Sequence, residues 1–136
     1  MALVAQLVTG SGFLNVDLVV RSRSSLAALR EAFGERARVP DQGEPPRWLI
    51  VNVRDQPKSA EAAVRKLLVL LGTVPPRARR AWLGAGSRVF DVGIAAQAAG
   101  RPFEGVTFTS ETLAAVARAR AAIQITVYPP EDASGV

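Results

Sequence analysis

Segments of period two alternate along this chain with segments of helical period, and each kind offers mostly one apolar side. In Phe13 to Arg21, Leu14, Val16, Leu18 and Val20 alternate with Asn15, Asp17, Val19 and Arg21, which predicts a strand with one apolar face. Trp48 to Arg54 repeats the pattern with apolar residues on both sides, as expected of a strand inside a sheet. Arg88 to Ala96 sets Phe90, Val92 and Ile94 against Val89, Asp91 and Gly93. Val106 to Thr109 reads as a short strand pairing with its predecessor, and Ala122 to Tyr128 as the last strand before Pro129-Pro130.

The intervening helices are equally one-sided. Ser22, Ser24 and Ser25 offer oxygens to the free N–H groups of a helix opening near Leu26, whose stripe is Leu26, Leu29 and Phe33, with Gly34 as a stop. After the polar, proline-rich loop from Glu35 to Arg47, Pro57 and Ser59 mark the start of a strong helix with Ala60, Val64, Leu67, Leu68 and Leu71 on one side. Gly72 closes it, and Pro75-Pro76 suits the first turn of another, carrying Ala78, Ala81, Trp82 and Ala85. Ser110 reads as the N-cap of a last helix, with Glu111 at its positive end and Leu113, Val116, Ala117 and Arg120 at helical spacing.

Helices with single stripes and strands with single apolar faces predict an α+β two-layer sandwich: a mixed or mostly antiparallel sheet of about five strands with helices on one face. The strand-helix-strand opening and the strand-strand-helix-strand ending could each supply half of a ferredoxin-like arrangement. A doubly wound parallel sheet fits less well, because it needs helices on both faces. A chain of 136 residues, 49% apolar and 21% charged, is expected to form a single domain over residues 1–136, with 1–12 and 131–136 peripheral or frayed.

The composition also limits chemistry. There is no histidine and no cysteine. Histidine-based triads, thiol nucleophiles, disulfides and the usual zinc or copper sites are thereby excluded. No cofactor or metal site and no catalytic residues are expected. Gly10-Ser11-Gly12 and Gly84-Ala85-Gly86-Ser87 lack phosphate-loop spacing and read as turns. The apolar run Ala2 to Val8 has no basic flank and is not expected to be a signal peptide, and no window is long and apolar enough to span a membrane. A cytoplasmic location is the expectation.

The phrases Val16-Asp17-Leu18, Trp48-Leu49, Leu67-Leu68, Ser110-Glu111-Thr112-Leu113 and Thr126-Val127-Tyr128, in this element order, resemble an uncharacterised bacterial family of domains of unknown function, over about Val16 to Tyr128. The resemblance supports the fold and brings no activity with it.

The expected role is that of a non-catalytic binding or protein-interaction module, its partner another protein or a second copy. Its contact surface is expected on the open sheet face, with Trp48, Asn52, Arg54 and Tyr128 as candidate residues. The net charge is +5, and the densest basic cluster is Arg77, Arg79 and Arg80 beside Trp82. That cluster makes a weak nucleic-acid or polyanion binder the alternative, against its simpler reading as a solvated helix face with Trp82 in the core. A third reading, a histidine-free hydrolase, would need acids such as Asp91, Glu104 and Glu111 to converge.

Overall fold

The computed structural model describes residues 12–39, 45–96 and 105–129. In chain order the elements are β1 (Phe13–Arg21), α1 (Ala27–Phe33), a 3-10 turn (Gly34–Arg36), β2 (Ala37–Arg38), β3 (Trp48–Val51), α2 (Ala60–Leu71), α3 (Pro76–Gly84), β4 (Ser87–Ala95), α4 (Ser110–Arg118) and β5 (Ala122–Tyr128). The strands form one mixed sheet in the order β2-β3-β1-β4-β5, antiparallel throughout except for the parallel pair β4 and β5. This is the α+β sandwich that the alternation predicts. It is not the ferredoxin-like arrangement, because β4 and β5, joined through α4, are direct neighbours rather than split by an inserted strand.

Burial follows the stripes. Val16, Leu18 and Val20 of β1, Leu49 and Val51 of β3, and Phe90 and Val92 of β4 are fully buried on one side of the sheet. Leu29 and Phe33 of α1, Val64 and Leu67 of α2, and Ala78 and Trp82 of α3 complete the same core from the helical layer. The β3 strand lies inside the sheet as expected, flanked by β2 and β1, although its ladder ends at Val51.

Helix starts use the side chains available. The Ser59 hydroxyl accepts from the Ala62 N–H at 3.1 Å, and the Ser25 hydroxyl accepts from the Ala27 N–H at 3.1 Å. Pro76 occupies the first turn of α3. The α1 helix stops at Gly34, whose φ of +62° is a conformation that side chains with a Cβ disfavour.

Four expectations fail locally. Val106–Thr109 is not a strand: β5 occupies the outer edge of β4, Val106 and Phe108 pack partly against the core, and Thr109 caps α4. The cap is therefore Thr109 rather than Ser110, its hydroxyl accepting from the Thr112 N–H at 3.2 Å. The buried stripe of α4 is Thr112 and Val116, while Leu113 stays 47% exposed. Within the stretch read as loop, Ala37–Arg38 instead adds the short β2 to the edge of β3.

Two side chains tie the helical layer together. Arg88 at the start of β4 donates to the backbone carbonyls of Trp82 at 3.0 Å, Ala85 at 2.6 Å and Arg120 at 2.8 Å. It thus satisfies the end of α3 and holds it to the turn before β5. Arg120 adopts φ +60° there, the left-handed region. Glu61 of α2 accepts the Thr109 N–H at the start of α4, a carboxylate placed at the positive end of a helix by a different helix. That backbone hydrogen bond, foremost, with help from the Thr112 and Thr109 hydroxyls and Arg65, holds the Glu61 pKa below its ordinary value against opposing desolvation.

Candidate functional site

Strand register decides what the side of the sheet away from the helices, the open face, presents among the described residues. Cross-strand partners share a face, so the pairs Val19–Ile50, Arg21–Trp48, Val19–Val89, Asp17–Asp91 and Asn15–Gly93 all point away from the helices. Gln124, Thr126 and Tyr128 of β5 join them through the parallel register with Asp91, Gly93 and Ala95.

The centre of this face holds two carboxylates side by side. Asp17 and Asp91 are directly opposite on two neighbouring interior strands, nearest cross-strand neighbours of like charge. Asp17 accepts from the Asn52 side-chain amide at 3.3 Å and lies 3.7 Å from the exposed guanidinium of Arg38. Asp91 accepts from the Thr126 hydroxyl at 2.6 Å and has no cation within ion-pairing distance among the described residues. No third acid stands close enough to make a metal-binding group among the described residues.

Around the acids the surface is layered. On one side Val19, Ile50 and Val89 form a half-buried apolar row. On the other, Gly93 leaves room for its neighbours: a Cβ there would come within 2.6 Å of the Asn15 side-chain oxygen and 3.2 Å of the Tyr128 ring. The absence of a side chain at Gly93 is what lets Asn15 and Tyr128 close over the strand.

The residues singled out in the sequence divide three ways. Trp48, Asn52 and Tyr128 do lie on the open face, but they do not form one aromatic patch. Trp48 is level with Arg21 and Ser87, Tyr128 with Ala95, so strand geometry puts them on the order of 30 Å apart, at opposite corners. The Arg21 guanidinium stacks 4.2 Å above the Trp48 ring, and the Trp48 indole N–H is buried with no hydrogen-bond partner among the described residues. Arg54 projects from the loop after β3, is exposed and ion-pairs with Glu35. It lines a groove of about 430 Å³ with Arg36, Val53, Lys66 and Val69 rather than the open face.

Arg77, Arg79 and Arg80 are exposed on α3, in the helical layer, with no acid in ion-pairing distance among the described residues. Trp82 faces the core as expected, its indole N–H donating to the Ala119 carbonyl at 3.0 Å. Glu111 is on α4 and Asp91 on the opposite side of the sheet, so those two acids do not converge; Glu104 lies outside the described residues, as do Gly10 and Ser11.

What sequence reading missed is the juxtaposition itself. Asn15, Asp17, Gly93 and Thr126 take the alternate strand positions that face away from the core and Arg38 falls in the stretch read as loop, and only the strand order and register bring them together. The visible signal was an acid at the middle of each of two otherwise apolar strands.

No family model, curated protein or solved structure matches the chain. Among the described residues no helix is long and apolar enough to cross a membrane.

Proposed function

We propose that the chain is a non-catalytic protein-interaction module whose contact surface is the open sheet face, centred on Asp17 and Asp91. The observation that carries this reading is the carboxylate pair: like charges placed opposite one another cost stability, and Asp91 is left without a cation of its own among the described residues. The complementary group on a partner is a guanidinium or ammonium, and the adjoining Val19, Ile50 and Val89 row suits an apolar side chain beside it. Residues bearing such a face are kept for binding rather than for stability.

The test compares capture from native lysate by the unaltered protein, by Asp17→Asn with Asp91→Asn, and by Arg77→Gln with Arg79→Gln and Arg80→Gln. A partner lost with the first variant and kept with the second supports the open face. Capture indifferent to the two aspartates overturns it.

A second reading rests on Arg77, Arg79 and Arg80 of α3, which ion-pair with no acid among the described residues and would bind a polyanion. Retention on nucleic acid at low salt that disappears in the triple glutamine variant would favour it. No retention would dismiss it.

A further inference from the structure

The β5 strand ends the sheet, and nothing among the described residues pairs with its outer edge. Natural sheets blunt such edges with charges, prolines, bulges or short strands. The opposite edge follows that rule, since β2 has only two residues and one of them is Arg38. The β5 edge does not: seven residues, Ala-Ile-Gln-Ile-Thr-Val-Tyr, contain no charge and no proline. Its register with β4 turns Ile123, Ile125 and Val127 toward the helical side, yet only Ile123 packs against the core; Ile125 is 48% and Val127 57% exposed.

The strand is also self-complementary. Antiparallel pairing of two copies about Ile125 sets Ile123 against Val127, Gln124 against Thr126 and Ala122 against Tyr128, with Ile125 facing itself. Apolar residues meet apolar ones on the helical side, while on the open side Gln124 meets Thr126 and the small Ala122 leaves room for the Tyr128 ring; a two-fold axis normal to the sheet keeps each face with its own kind. We propose that β5 is a homodimerisation edge, joining two copies into one ten-stranded sheet through antiparallel β5–β5 pairing centred on Ile125.

Charge favours this occupant. The two copies meet through uncharged strands, and the same register keeps the two Arg120 residues on the order of 30 Å apart at opposite ends of the junction. Size sets the class: the seven residues of β5 are about a third of the 20–30 a side in a standard interface, so the dimer belongs to the weak, transient kind. Closure by a two-fold axis consumes the exposed edge and stops further addition, since β2 is too short to propagate it. This proposal is independent of the open-face reading and joins the two open faces side by side.

Sedimentation equilibrium of the full chain tests it. The unaltered protein is expected to shift from monomer to dimer with rising concentration. Ile125→Lys and Ile125→Glu, each placing like charges against themselves on the axis, are each expected to remain monomeric, and an equimolar mixture of the two is expected to regain the dimer. Only a residue on the two-fold axis gives that pattern. Their thermal midpoints report that both fold, as expected for a half-exposed position. A strict monomer up to about 1 mM, where even a dimer held by only about 4 kcal/mol would be populated, overturns the proposal. So does a dimer indifferent to Ile125→Lys, a mixture that stays monomeric, or open-ended assembly.

Discussion

Arg88 shows how one side chain can substitute for much missing cap structure. The α3 helix ends without a glycine in left-handed conformation or a basic residue in its last turn, and the guanidinium from β4 takes its carbonyls instead, reaching Arg120 as well. Charged donors to backbone carbonyls contribute more than neutral ones, so Arg88→Ala is expected to cost about 2–3 kcal/mol in urea unfolding. Arg88→Lys should recover less than half, because an ammonium lacks the planar fork that spans three acceptors. Full rescue by lysine would show that charge alone matters there. Glu61 contributes to the acid limb of stability. Its folded pKa is lowered, so its contribution is fully present above the unfolded glutamate value of about 4.3 and is lost as pH falls through the folded one. The unaltered protein should therefore lose stability below about pH 4.3 more steeply than Glu61→Gln, as urea midpoints measured down to about pH 2.5 would reveal. Parallel acid limbs would remove the linkage.

The elements differ in how well a sequence announces them. The α2 helix was legible because Ala60, Val64, Leu67 and Leu71 repeat over three turns and all enter the core, and Ser59 caps it by the usual hydroxyl. The α4 helix was legible as a helix but not in its orientation. Its rotation is set by Thr109 and Thr112, whose polar groups meet Glu61 of α2, so a threonine is buried and Leu113 is left outside. Val116→Ala is accordingly expected to cost about 2 kcal/mol and Leu113→Gln less than about 0.5 kcal/mol in chemical denaturation. The opposite ranking would restore the stripe expected from hydrophobicity. Alternation located β1, β3, β4 and β5 but could not order them, and the candidate site depends on that order. Asp17 and Asp91 read as two unrelated surface acids until the antiparallel pairing sets them together. If their repulsion outweighs what each gains locally, Asp91→Asn, which keeps the acceptor for Thr126, should raise stability by about 0.5 kcal/mol. A loss of stability would mean that the aspartate is structural, and would weaken the case for a surface held for binding.

At the scale of the molecule, stability is expected to grade from the middle of the sheet to its sides. Residues 18–21 of β1 are flanked by both β3 and β4, and Leu18 and Val20 are fully buried, so their amides can exchange only when most of the core opens. In β5 half of the amides face outward from the unpaired edge, under side chains that are largely exposed. Hydrogen exchange should therefore be slowest at Leu18, Val19 and Val20 and fastest, among strand residues, at the outward amides of β5. The gradient also distinguishes an isolated sheet from a joined one. Pairing across the β5 edge would protect those outward amides without altering β1, since the centre is already closed on both sides. Raising the protein concentration should then slow exchange selectively in β5, an effect that Ile125→Lys should abolish. Protection in β5 that is high and independent of concentration would show that its edge is covered within the single chain.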